Sequence, residues 1–267
     1  MKDSLWRKPY LIELTYAENF RLVRDSIRGQ NLKILEIGCG TGFMSLELAR
    51  MGHDVVGIDP NENIIRVARR TMQSDPYEKT RGDLRYEVAD FTNWSDESGK
   101  YDILLFSRVL HDMLHPKKIL SRARNLLRNG GRLVCLEYAY DRLNRRAAIW
   151  LYQIRRALEV TGWYPSPHLP ENPETGVNQI LRENFTGRKE HINSFEEMRK
   201  PLGDLFKRED FSWQSYYCWD ILSDMRIPDT AKEKAFAHLF KRMEQFLIDS
   251  GEIPSVLFHF VGTKASK

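Results

Sequence analysis

Three glycines stand at alternate positions in Glu36-Ile37-Gly38-Cys39-Gly40-Thr41-Gly42. An apolar run, Lys33-Ile34-Leu35, leads in, and a helical pattern from Phe43 to Met51 leads out. A strand that breaks into glycines and restarts as a helix leaves backbone N–H groups facing the strand's carboxyl end. Glycine admits a ligand where a Cβ would clash, and it tolerates positive φ. Open α/β sheets bind nucleotide-type ligands at such a turn. The dinucleotide fingerprint G-x-G-x-x-G, started at Gly38, needs glycine at position 43, where the chain has Phe43. An NAD-dependent oxidoreductase is disfavoured on that ground.

Other chemistry-bearing residues follow in order. Asp59 closes the run Asp54-Val55-Val56-Gly57-Ile58, about as far after the glycines as the ribose-binding acid of nucleotide-binding α/β folds. Pro60 and Asn61 then start a helix. Leu84 to Phe91 reads as a strand closing on Asp90-Phe91. Tyr101 to Phe106 is nearly all apolar, as in a central strand buried on both faces, and it runs into Ser107-Arg108-Val109-Leu110-His111-Asp112.

The acidic residue before alternating glycines resembles motif I of the class I methyltransferases that use S-adenosylmethionine (SAM), and the resemblance extends over roughly residues 30 to 140. It implies SAM as cofactor and S-adenosylhomocysteine as product. It implies Glu36 near the ammonium of the methionine end and Gly38, Cys39, Gly40 and Gly42 in the cofactor turn. Cys39, between two glycines, reads as a small filler of a tight space rather than a nucleophile. Asp59 would take the ribose, Pro60 or Asn61 would lie against the adenine, Asp90 would take its amino group and Phe91 would flank the ring. Ser107 and Arg108 would end the fourth strand at the site. A leading helix would close over the cofactor and put Tyr10 and Tyr16 on the rim.

Methyl transfer needs positioning above all. A hydroxyl acceptor also needs a base for its proton, and His111 is the candidate, with Asp112 as its orienter. Enzymes of this fold that methylate amino groups of nucleic-acid bases carry Asn/Asp-Pro-Pro-aromatic after strand four. The chain has Ser107-Arg108-Val109-Leu110 there, which argues against that acceptor.

Five strands and four helices in regular alternation call for an α/β fold with a right-handed parallel sheet, and the resemblance implies a doubly wound, mostly parallel seven-stranded sheet. A helix over residues 10 to 28 precedes strand one. A helix opened by Pro116 stops at Gly130-Gly131, and Arg132 to Tyr138 forms strand five. Residues 1–140 form the SAM-binding core, 141–210 a helical lid inserted after strand five, and 211–267 the last two strands with a helix between them. In the lid, Leu143, Ala147, Trp150, Leu151, Ile154 and Leu158 share one helix face, opposite Arg142, Arg145, Arg146 and Arg156. A proline-rich stretch, residues 163–170, and short helical pieces around Gln179 and Glu196 complete it. Strand six is expected at Phe211 to Tyr217. A capping-box pattern, Thr230 to Glu233, opens the next helix, whose apolar stripe leaves core cover and a dimer face both open. The final strand, Ser255 to Val261, is antiparallel if the resemblance holds.

The balance of 41 basic and 37 acidic residues permits an anionic partner without demanding one. Three scattered cysteines suggest neither a metal site nor a disulfide framework. The N-terminal residues, Met1 to Arg7, carry no apolar leader and no apolar run is long enough for a membrane span, so a cytoplasmic location is expected. The expected partner is a small-molecule acceptor. An RNA methyltransferase using the arginine face, and a SAM-binding protein without turnover, are the alternatives.

Overall fold

Strands with apolar interiors alternate with amphipathic helices through the first half of the chain. The computed structural model describes residues 8–164, 169–183 and 192–264. Strands β1 (Lys33–Ile37), β2 (Asp54–Asp59), β3 (Leu84–Val88), β4 (Tyr101–Ser107) and β5 (Leu127–Tyr138) are joined by β6 (Lys207–Gln214) and β7 (Leu257–Thr263). They form one seven-stranded sheet in the order β3-β2-β1-β4-β5-β7-β6. The first five pair parallel, with Leu35 of β1 opposite Val56 on one side and Leu104 on the other. β7 runs antiparallel to β5: the Lys264 N–H donates to the Gly131 carbonyl at 2.9 Å and the Ala139 N–H to that of Val256 at 2.7 Å. This is the doubly wound, mostly parallel arrangement that the sequence implies.

The helices are α1 (Pro9–Ile12) and α2 (Glu18–Ser26), joined by a π turn over Glu13–Ala17, then α3 (Phe43–Arg50), α4 (Glu62–Gln73), α5 (Pro116–Leu126), α6 (Arg145–Val160), α7 (Pro173–Glu183), α8 (Phe195–Leu205), α9 (Tyr217–Asp224) and α10 (Thr230–Asp249). None of the described helices is long and apolar enough to cross a membrane. The chain forms two compact units, one from the described residues within 20–138, 191–212 and 259–267 and the other from those within 1–19, 139–190 and 213–258. In the first, Val23, Ile34, Leu48, Val55, Leu105, Val134 and Val261 belong to one buried cluster, and α5 packs on α8. In the second, Leu11, Leu151, Ile221 and Phe240 are buried together, and the Trp150 ring stacks on Phe240 at 5.2 Å.

Several boundaries differ from the sequence reading. Gly130-Gly131 does not stop α5, which ends at Leu126. The glycines lie inside β5, in a bulge where Tyr101 pairs with Leu127 but Ile103 pairs with Arg132. β3 ends at Val88, so Asp90-Phe91 lies just past it. β6 occupies 207–214 rather than 211–217, because its exposed start, Lys207 to Asp210, is an edge strand that carries charge instead of alternation. The aromatics after it turn into α9, where the buried Glu244 of α10 accepts the N–H groups of Tyr216, Tyr217 and Cys218. α10 is capped by Asp229, whose carboxylate accepts from Ala231 and Lys232, and not by a Thr230–Glu233 box. Glu233 is buried instead, accepting from the Ile227 N–H at 2.7 Å and from the Tyr10 hydroxyl. β7 starts two residues later than expected, at Leu257.

Candidate functional site

The glycine turn joins β1 to α3, and all three glycines adopt positive φ: 69° at Gly38, 54° at Gly40 and 82° at Gly42. Each answers a different constraint. A Cβ on Gly38 would stand 2.5 Å from Val109 Cγ2, so this glycine lets the loop after β4 lie against the turn. A Cβ on Gly42 would strike the Tyr86 ring, whose hydroxyl donates to the Gly42 carbonyl at 2.8 Å. At Gly40 a Cβ would meet nothing within 4 Å, so the turn is open there. The backbone is tied down from β2, since the Gly38 and Cys39 N–H groups both donate to the Ile58 carbonyl, at 2.8 and 3.0 Å.

Asp59 ends β2 beside this turn. One carboxylate oxygen accepts from the Gly40 N–H at 3.1 Å and the other from the Asn61 N–H at 2.9 Å. A carboxylate has about four acceptor positions, so roughly two remain. Pro60 and Asn61 are exposed, and the Asn61 side chain caps α4 by accepting from Asn63 and Ile64. Asp90 is exposed as well and accepts from the Thr92 N–H at 2.8 Å. Phe91 turns inward, 2% exposed, edge-on to Phe106 at 6.0 Å. Glu36 is buried at the end of β1 and accepts a hydrogen bond from the Ser45 hydroxyl. Burial pushes its carboxyl up to about 7, against the lowering pull of Ser45 and of the Arg108 charge. Burial likewise pushes up the Cys39 thiol, which leaves it a filler rather than a nucleophile.

After Ser107 the chain makes a tight loop. Arg108 takes φ of 58° and donates its N–H to the Leu136 carbonyl at 2.8 Å. His111 follows in a single helical turn over Leu110–Asp112, 6% exposed. Its Nδ1 lies 2.9 Å from Glu137 Oε2, and the other Glu137 oxygen accepts the N–H groups of Val109 and Leu110, each at 2.7 Å. Glu137 is fully buried at the end of β5. A carboxylate acceptor assigns the ring proton to Nδ1 and leaves the lone pair on Nε2. Asp112, the expected orienter, stands 3.6 Å from Nε2, too far for a hydrogen bond, so the orienter is Glu137. The Tyr138 ring meets the imidazole edge-on at 5.3 Å. Asn193, ahead of α8, closes the loop from another direction: its N–H donates to the His111 carbonyl at 2.7 Å and its amide to those of Leu110 and Met113, at 2.9 and 2.7 Å.

The sheet unit thus brings together Glu36, the glycine turn, Asp59, Asn61 and the Ser107–His111 loop. Glu137 carried a readable signal, as the one carboxylate inside the apolar run Leu133 to Tyr138. Asn193 carried none. Tyr10 is not a rim residue, since it is 5% exposed and its hydroxyl is held by Glu233. Tyr16 belongs to the other unit, edge-on to Trp219 at 6.4 Å. Arg142 and Leu143 precede α6, Arg142 in a turn over Tyr140–Arg142, so of the expected arginine face only Arg145, Arg146 and Arg156 lie on the helix. Arg145 pairs with Glu174, Arg156 with Glu159, and the Arg142 guanidinium lies 4.1 Å from the Trp213 ring centroid. Residues 165–168 of the proline-rich stretch lie outside the described residues.

Residues 13–186 match the family described as "Methyltransferase domain". A ubiquinone biosynthesis O-methyltransferase from Cereibacter sphaeroides is 30% identical over 159 residues, 60% of this chain and 60% of that protein. One from Roseobacter denitrificans is 33% identical over 136 residues, 51% of each. The match thus spans 51–60% of the length of these curated relatives. Among solved structures, geranyl diphosphate C-methyltransferase from Streptomyces coelicolor A3(2) superposes with a TM-score of 0.59 at 14% identity, covering 98% of this chain and 85% of that one. That likeness is one of fold.

Proposed function

The chain belongs to the methyltransferase-domain family, and from that premise we propose that it methylates a hydroxyl group of a small molecule with SAM as donor, His111 acting as general base. The residues of the site fit that cofactor. The turn is open at Gly40, two acceptor positions of Asp59 remain beside it, and the buried Glu36 lies at the end of β1. When bound, SAM supplies a methyl group already activated by its sulfonium.

The chain's own residues do the rest. Gly38, Gly40 and Gly42 give the backbone its close approach, Asp59 takes the ribose hydroxyls, and Glu36 faces the cationic methionine end. Asp90 and Asn61 border the adenine. Ser107 and Arg108 lead the chain from β4 into the loop that carries His111. His111 takes the acceptor proton at Nε2 while Glu137 holds Nδ1–H in place.

The carrying observation is the His111 Nδ1 to Glu137 Oε2 contact of 2.9 Å on a loop that touches the glycine turn through Val109 and Gly38. A fixed base is needed for an acceptor that must lose a proton as it is methylated, and the O-methyltransferase names of the curated relatives agree with this reading. Acceptor choice is assigned to residues outside the seven strands, first among them 141–210. The RNA reading is weakened by the paired state of Arg145 and Arg156.

The test measures transfer of labelled methyl from SAM to four probes, phenol, catechol, benzyl alcohol and aniline, with the wild type and His111→Ala. The expected result is methylation of a hydroxyl probe, slowed by roughly 10²-fold or more in His111→Ala, with S-adenosylhomocysteine binding retained. Methylation of aniline alone, or an undiminished rate in the variant, overturns it.

A further inference from the structure

We propose that Asn193 is a positioning residue for the reaction, holding His111 in register from outside the nucleotide-binding half of the sheet. The proposal rests on the reading of His111 as the base. The loop from Val109 to Met113 presents two kinds of backbone group, and two buried side chains divide them by charge. Glu137 takes the N–H groups of Val109 and Leu110. The Asn193 side-chain amide donates to the carbonyls of Leu110 and Met113, and its main-chain N–H donates to that of His111. It is 1% exposed, so these bonds form in a site shielded from competing water.

Asn193 is itself firmly seated. Ser194 caps α8, its hydroxyl accepting from the Glu197 N–H while the Glu197 carboxylate accepts from the Ser194 N–H at 2.8 Å. That reciprocal box fixes the direction in which the chain enters the helix. α8 packs against α5, and α5 begins at Pro116, four residues beyond Asp112. Loop, α5, α8 and Asn193 therefore close a ring that returns to His111. The imidazole is steered through Nδ1 by Glu137, and the main chain beneath it is placed by Asn193. Displacing that main chain displaces Nε2, and a shift of about 1 Å in a reacting group can cost on the order of 10²-fold in rate.

A double-mutant cycle tests this. The rate on the fastest of the four acceptor probes and the S-adenosylhomocysteine dissociation constant are measured for wild type, Asn193→Ala, His111→Ala and the double variant. Asn193→Ala is expected to lower kcat by roughly ten- to a hundredfold, with dissociation constant and cofactor KM unchanged. The double variant is expected to be no slower than His111→Ala, because Asn193 acts through a side chain already removed. Losses that multiply in the double variant, or an unchanged kcat in Asn193→Ala, overturn the role of Asn193 and leave His111 standing. An undiminished rate in His111→Ala overturns the base assignment and this proposal with it. If Asn193→Ala does not fold, Asn193→Ser replaces it throughout, its shorter donor reaching at most one of the two carbonyls. It is expected to lie between wild type and His111→Ala, and a wild-type rate in that variant overturns the proposal.

Discussion

The glycine turn and the His111 loop lie against each other at Gly38 and Val109, yet they are built by opposite means. The turn rests on its own main chain, with positive φ at three glycines and the Gly38 and Cys39 N–H groups tied to the Ile58 carbonyl. The Asp59 carboxylate and the Tyr86 hydroxyl add one bond each. The loop is main chain held by two side chains, Glu137 and Asn193, that arrive from elsewhere in the fold. A turn of the first kind is specified where it stands and serves any ligand that needs close backbone approach. A loop of the second kind is set by its partners, so its geometry can be retuned without touching the donor site.

The comparison breaks most readily where the two regions meet. Gly38→Ala combines a positive-φ penalty with a collision against Val109. Together these cost about 2–5 kcal/mol, and the variant is expected to lose roughly 10²–10³-fold in S-adenosylhomocysteine affinity by calorimetry while also slowing turnover. Glu137→Gln is expected to act on one region alone. Its amide would donate to Nδ1 and reverse the ring's tautomer, dropping kcat by roughly 10²-fold with cofactor affinity within about twofold of wild type. Tyr86→Phe removes the bond to the Gly42 carbonyl at the far arm of the turn. A loss of about 1 kcal/mol, near fivefold in affinity and with no change in kcat at saturating cofactor, would sharpen the division.

The smallest effect is on pH dependence. The Glu36 carboxyl is pushed up to about 7 by burial. A carboxyl raised in the folded state contributes stability that is whole below its ordinary value and is lost as pH rises through about 7. Thermal unfolding of the ligand-free protein is therefore expected to fall between pH 5 and 8 by about 3 °C more in wild type than in Glu36→Gln.

This contrast also explains what the sequence discloses. Glycines, strand-end acids and the buried run of β4 are local signals, so the turn, Asp59 and the parallel half of the sheet were legible. Glu137 was half legible, as a carboxylate in an apolar strand whose partner could not be told. Asn193 was invisible, since it follows an ordinary stretch and meets its partners across about 80 residues of chain. The start of α9 failed for the same reason. Its cap is Glu244, 26 to 28 residues later, so the aromatic run before it looked like a strand. Edge strand β6 failed on different grounds, because solvent lets its first four residues all be charged.

The three buried cysteines offer something separate from catalysis. Burial raises all three thiols, so the folded chain presents almost no thiolate to a reagent. Cys39 and Cys135 belong to the sheet unit and Cys218 to the other. Timed alkylation followed by peptide mass spectrometry then becomes a clock with independent hands. Cys39 reads breathing of the cofactor turn, Cys135 the opening of β5 and Cys218 the loosening of the second unit. Each unit carries its own reporter without a single engineered residue.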